Sequence, residues 1–246
     1  MPRQNGLGAS IGARHSRCLL VARLPTAVHE PIRRPTIVAD KALSWAYTEE
    51  FLTESEPART ARMRAEELGI DSVPVGVGAA LRMLAAASHA RAVAEVGTGT
   101  GVSALWLLEG MAEDGVLTTI DVEVEHQRVA KESFAAAGIR STRTRTISGR
   151  ALDVLPRLAD SAYDLVFLDA EPGETGDYAE QAVRMLRSGG VLAVSDALWH
   201  DRVADPARRD ELTVAMRELG RSVRENEDLI PTLLPVGGGL LVAVLR

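Results

Sequence analysis

The sequence predicts an α/β domain: a parallel sheet with helices on both faces, closed by a C-terminal antiparallel hairpin. Three observations predict it. From residue 90 onward, short apolar runs alternate with stretches of helical period. The first run ends in a bend with glycine at alternate positions, Gly97, Gly99 and Gly101. The chain closes on "LIPTLLPVGGGLLVAVLR", two apolar runs around a glycine triplet.

Taken in order, "DKALSWAYTEEFL" and "PARTARMRAEELG" space apolar residues by three and four, and a further helix follows Ser72 and Pro74. These are front helices. Then "ARAVAEV" (90–96) reads as a strand and "VSALWLLEGMA" (102–112) as a helix. "GVLTTID" (115–121) is a strand and "EHQRVAKESFAAAG" (125–138) a helix; "TRTRTISG" (142–149) is a strand leading into "RALDVLPRLA". "YDLVFLD" (163–169) is a strand, "DYAEQAVRMLRSGG" (177–190) a helix stopped by glycines, and "VLAVSDA" (191–197) a strand. A long helix is expected around 206–225. Strand–helix repeats of this length make parallel sheets, which bind ligands at the carboxyl ends of their strands. The residues there are Glu95 to Gly101, Asp121, Gly149 to Ala151, Asp169 and Asp196.

Composition narrows the function classes. The net charge is −6, with no global basic field for nucleic acid or an anionic membrane, and no apolar run is long enough to span a bilayer. Cys18 is the one cysteine, which excludes an intramolecular disulfide framework and a cysteine-rich zinc site; a reducing, cytoplasmic setting is the default. Residues 1–36 are rich in Arg, Gly and Pro without sustained period and read as a disordered tail, leaving 37–246 as a single domain.

The glycine bend lets a ligand approach the backbone. A triphosphate loop needs lysine after the glycines, and none follows; Lys41 and Lys131 are the only two in the chain. A dinucleotide fingerprint needs its third glycine at Val102. The observed spacing is G-x-G-x-G, preceded by an acid, Glu95, which would repel a pyrophosphate and accept hydrogen bonds from a cationic or neutral ligand or from the loop's own amides. S-adenosylmethionine is cationic at sulfur and nitrogen and lacks phosphate. Asp121, ending the next strand, suits two ribose hydroxyls, and equally suits a cap for the helix that follows. A tight turn without any ligand is the alternative for the glycines.

"AEVGTGTGVSALWL" resembles the E-x-G-T-x-T-G-x-S motif of the cation-dependent O-methyltransferases, the group of the catechol and caffeoyl-CoA enzymes, and the chain is similar to actinobacterial O-methyltransferases from about Asp71 to the C-terminus. "TTIDVEVEHQRVAKESFAAAGI", "SGRALDVLPRL", "YDLVFLDAE", "RSGGVLAVSDALW" and "LLPVGGGLLVAV" keep that family's order and spacing. The resemblance implies a Rossmann-like, S-adenosylmethionine-dependent methyltransferase fold, a small-molecule hydroxyl as acceptor, and a homodimer. It places Val73, Glu95, Gly97, Thr98, Ser103, Asp121, Gly149, Ala151 and Asp169 against the cofactor, with Ser103 near the methionine carboxylate and Gly149 to Ala151 around the adenine.

The resemblance also implies a divalent cation, Mg²⁺, on two aspartates and an asparagine, with a lysine base. Asp169 and Asp196 match the aspartates; Ala197 stands at the asparagine and Pro172 at the lysine. The metal site is therefore reduced relative to the family's, to two carboxylates and water. No catalytic base is assigned; His200 and Glu171 are the nearest titratable substitutes, while His89 and His126 read as surface helix positions. The alternatives are a transferase that works without metal and a cofactor-binding protein without catalysis.

Overall fold

The computed structural model describes residues 40–170 and 172–246. The expected tail (residues 1–36, with Cys18, His15 and His29) and Glu171 lie outside the described residues.

Three helices come first: α1 (Asp40–Glu50), α2 (Glu56–Leu68) and α3 (Val75–Ala87). Helix α2 stops at Gly69, whose left-handed backbone lets its amide reach back to the last turn. The alternating portion follows as β1 (Ala92–Val96), α4 (Val102–Gly110), β2 (Val116–Asp121), α5 (Val124–Ala136), β3 (Thr144–Ser148), α6 (Ala151–Val154), β4 (Tyr163–Leu168), α7 (Thr175–Met185), β5 (Leu186–Val194) and α8 (Glu211–Glu225). The closing hairpin is β6 (Leu229–Leu234) and β7 (Leu240–Leu245). The seven strands form one sheet in the order β3-β2-β1-β4-β5-β7-β6, with β1 to β5 parallel and the last two antiparallel.

Strand periodicity sorts the core into two layers. Val93, Leu117, Leu165, Phe167, Val191 and Ala193 point to one face, under α3 and α4. Ala94, Val96, Ile120, Val166, Leu168, Leu192 and Val194 point to the other, under α7 and α8. Every residue of α4 from Val102 to Leu108 is buried, as its sequence without polar stripe requires.

The boundaries around β5 differ from the sequence reading, and α8 starts at Glu211 rather than near 206. The helix expected over 177–190 ends at Met185, and the strand expected over 191–197 runs Leu186–Val194. Ser188, Gly189 and Gly190 do not stop a helix. They form a bulge, because β5 pairs Leu186 with Tyr163 and then resumes at Val191 with Leu165. A side chain at Gly190 would place its Cβ 2.8 Å from the Arg187 carbonyl oxygen. Downstream, Asp196 leaves the strand in the left-handed region (φ 51).

Strand order reverses between β1 and β4, which opens a crevice at their carboxyl ends. Gly97 crosses that point at φ +96, where a Cβ would lie 1.9 Å from the Asp169 carbonyl oxygen. Backbone bonds from Gly97 to Ile120 and from Asp169 to Val96 extend the sheet into the bend. Gly97→Ala therefore meets a backbone clash and a disfavoured φ together. It is expected to lower unfolding free energy by about 3 kcal/mol or more, read from urea denaturation. Unchanged stability would show that the β1–β4 crevice is wider than described.

Candidate functional site

The crevice is a cavity of about 470 Å³, within the range of small-molecule sites. Of the sequence-predicted residues, Val73, Gly97, Thr98, Ser103, Asp121, Gly149, Ala151 and Asp169 all line it. They converge because the ends of β1, β2, β3 and β4 lie side by side.

Glu95 does not reach the cavity wall. It is fully buried beneath the bend, in the core layer shared with Val93. Its strand register sets it beside Thr119 of β2, whose hydroxyl lies 2.6 Å from Oε2; the Ser103 hydroxyl lies 2.7 Å from Oε1. The Thr98 hydroxyl lies 2.6 Å from that of Thr119. Burial raises the Glu95 pKa to about 8, against the two hydroxyl bonds and with help from the charges of Asp169 and Asp121. Glu95 is thus largely a neutral carboxyl at neutral pH. The sequence reading assigned it the repulsion of phosphate and bonds to a ligand or to loop amides; the structure corrects both, since burial keeps it neutral and its partners are hydroxyls.

Asp121 is one of the acids that line the cavity. Its Oδ2 accepts from the Gly99 amide at 2.9 Å, and its Oδ1 accepts from the Glu123 amide at 2.9 Å. The cap reading and the ligand reading coexist, because each oxygen keeps lone-pair capacity toward the cavity. His126, expected at a surface position, lines the cavity instead, its Nδ1 3.4 Å from Asp121 Oδ1. One turn into α5 brings it back over the end of β2.

Asp169 is another acid on the wall. Burial first, and then the charge of Asp196, raise its pKa to about 7, while a bond from Ser195 opposes them. Asp196 is raised as well, by burial and by Asp71, with His200 opposing. Asp196 does not line the cavity, and His200 is exposed with its ring 4.9 Å from that of Trp199. Among the described residues, no group of three His, Cys, Asp or Glu side chains converges as a metal site. Ala197 is buried without a donor atom in its side chain. Of the implied set, Asp169 and Asp196 would be the two carboxylates to hold a divalent ion, with water completing its shell.

Several lining residues carried no signal in the sequence. Ile70, Asp71 and Ser72 join Val73 as a wall before α3. Tyr178, which matches a tyrosine of the resembling family, also lines the cavity. Its hydroxyl bonds Glu174, which also pairs with Arg150 at 2.8 Å. This bridge joins α6 to α7 at the cavity edge. Only the fold brings residues 150, 174 and 178 together.

Comparison with known proteins agrees with this geometry. The model of an O-methyltransferase family matches residues 45–245, so the likeness reaches back through α2 into α1, further than the Asp71 boundary read from the motifs. A protein of Mycobacterium ulcerans (strain Agy99) with a provisional O-methyltransferase name is 55% identical over 199 residues, covering 81% of this chain and 89% of that protein. Among solved structures, a Corynebacterium glutamicum protein superposes with a TM-score of 0.78 at 33% identity, covering 83% of this chain and 97% of that one. The O-methyltransferase TomG of Streptomyces achromogenes, involved in tomaymycin synthesis and solved in complex with S-adenosylmethionine, superposes with a TM-score of 0.75 at 28% identity, covering 83% and 96%. With four-fifths of its length matched and the strand-end cavity in place, this chain belongs to the O-methyltransferase family.

Proposed function

We propose that this chain binds S-adenosylmethionine in the strand-end cavity and transfers its methyl group to a hydroxyl of a small molecule. One observation carries the reading: the carboxylate of Asp121 sits on the wall, tied to the Gly99 amide, where a pyrophosphate would be repelled and a ribose diol welcomed. Bound there, S-adenosylmethionine would supply a methyl group on a cationic sulfur; the acceptor hydroxyl would bond to that carbon through its oxygen, the carbon–sulfur pair would stay on sulfur, and the hydroxyl proton would leave to water.

Each residue has a part in that reading. Asp121 holds the ribose hydroxyls. Gly149 and Ala151 face the adenine, and Val73 covers the ligand from the front wall. The first amides of α4 lack intrahelical partners and suit the cofactor's carboxylate. The Ser103 hydroxyl donates to Glu95 Oε1, which holds the start of α4, and with it those amides, at the cavity. Asp169 faces the cationic part, whose charge favours its ionised form.

Ala197 at the asparagine of the implied metal set and Pro172 at the implied lysine base favour transfer by proximity and desolvation, so no step is routed through a cation. The net charge of −6 supports a partner that is not nucleic acid, and the exposed Leu43, Trp45 and Tyr47 on α1 support a homodimer. No described helix is long and apolar enough to cross a membrane.

Calorimetric titration with S-adenosylhomocysteine tests the reading. The parent protein is expected to bind it and to give no heat with NADH. Asp121→Ala is expected to weaken binding about 10- to 100-fold through two lost bonds to a charged acceptor. Uptake of NADH instead would overturn the reading.

Because Asp169 sits at about 7 in the free protein, binding of the cationic cofactor at pH 6.5 is expected to release protons. Titrations in buffers of different ionisation enthalpy read this directly, and Asp169→Asn is expected to abolish it. Turnover of a hydroxyl acceptor is expected to change by less than about threefold after EDTA dialysis if proximity and desolvation supply the acceleration. Loss of turnover that Mg²⁺ restores would assign Asp169 and Asp196 to a cation.

Glu95 gives a prediction about stability. Its native pKa of about 8 exceeds the ordinary 4.5, so the folded protein keeps a proton that the unfolded chain releases. The stabilisation is complete below pH 4.5 and is lost as pH rises to 8. Glu95→Gln is expected to flatten the fall of stability between pH 5 and 7.5 by about 1.4 kcal/mol per pH unit. Denaturation series at several pH values check this; an unaltered slope would show Glu95 to be ionised in the core.

A further inference from the structure

We propose that Arg62, which lies outside the cavity, is a positioning residue that sets the affinity for the cofactor by clamping the Ile70–Val73 wall. The proposal rests on the cofactor reading above.

Arg62 stands on α2 and spends its guanidinium on three partners. Its Nε and one terminal nitrogen pair with both oxygens of Glu54, at 2.9 and 2.7 Å. That same nitrogen reaches the Val73 carbonyl at 2.7 Å, and the other terminal nitrogen reaches Ser72 Oγ at 3.0 Å. The chain has just turned at Gly69, and Ile70 to Val73 then pass across the cavity mouth before α3 begins. Four residues without a strand or helix of their own thus take two hydrogen bonds from one planar fork. Lysine cannot reproduce this, because an ammonium is a point charge without a fixed fork.

Glu54 is the fixed end of the clamp. Its side chain is buried, with 5% exposure, and it also accepts from the Trp106 indole nitrogen at 3.2 Å. Trp106 is itself buried in α4, the helix that follows the glycine bend. The neighbouring residue of α2 completes the arrangement: the Ala61 carbonyl accepts from Thr100 Oγ1 at 2.8 Å. Consecutive residues Ala61 and Arg62 therefore hold two neighbouring stretches of the lining, the glycine bend and the 70–73 segment. The small buried residues Ala58, Ala61 and Ala65 let α2 approach closely enough to do so. A shift of α2 therefore moves both stretches of the cavity lining.

The test compares Arg62→Met and Arg62→Lys with the parent full-length protein. Three quantities are read: affinity for S-adenosylhomocysteine by calorimetry, KM for S-adenosylmethionine against kcat, and amide exchange of residues 70–73 at a fixed interval below each melting temperature. Arg62→Met is expected to weaken S-adenosylhomocysteine about tenfold and raise KM, with kcat at saturation within about threefold and faster exchange confined to the wall. Arg62→Lys, which keeps the charge beside Glu54, is expected to fall between. Lower melting temperatures with unchanged affinity and unchanged wall exchange would make Arg62 merely structural and overturn the proposal. If Arg62→Met does not fold, Arg62→Lys alone decides on the same readouts. If the parent ignores S-adenosylhomocysteine, the cofactor reading fails instead, and wall exchange still decides whether the clamp exists.

Discussion

A carboxyl group buried where the sheet gives way to the glycine bend is the constraint on which the site depends. Glu95 occupies a core position between apolar neighbours, where an ion would be costly, and burial resolves the conflict by keeping its proton. A neutral carboxyl still needs partners, and it finds them on two other elements, Thr119 of β2 and Ser103 of α4. The result is a three-way junction made of side-chain bonds. It fixes where α4 starts relative to β1 and β2, and hence where the bend must run.

The bend is held from outside as well. Its outer edge is tied to α2 through Thr100, its far end to Asp121 through the Gly99 amide, and its start to β4 by the contact that only glycine permits at 97. Three separate elements thus hold one loop. Such a loop loses little entropy on binding, since its order is already established in the folded chain. The same arrangement accounts for the placement of the two acids. Asp121 and Asp169 end adjacent and near-adjacent strands of a parallel sheet, so they arrive on the same edge without any bond between them.

The architecture was legible in the sequence because its signals are periodic and local. The alternation from residue 90, the glycine bend and the terminal hairpin are each read within a dozen residues, and the strand-end rule then points to Asp121, Gly149 and Asp169. What escaped was what depends on pairing between distant segments. Gly189 and Gly190 look like a helix stop, and only the pairing of β5 with β4 makes them a bulge. His126 looks like a solvated helix residue until α5 is laid over β2. The charge of Glu95 was misread for a further reason: residue type gives an ordinary pKa, and burial, which overrides it, is a property of the folded chain. Arg62 and Glu54 carry no motif, and an ion pair eight residues apart across a helix start resembles any surface pair in a charged sequence.

The division between the half of the site that keeps the family pattern and the half that departs from it also has a physical cause. The cofactor half is built from backbone: a glycine with no room for Cβ, amides at a helix start, and strand ends held in register. Changing any of these moves the sheet. The positions that depart from the family pattern, Pro172 and Ala197, are side chains on segments beyond the strands. Replacing those removes donor atoms while leaving both core layers packed. A chain can therefore keep its cofactor geometry intact while the means of activating the acceptor changes.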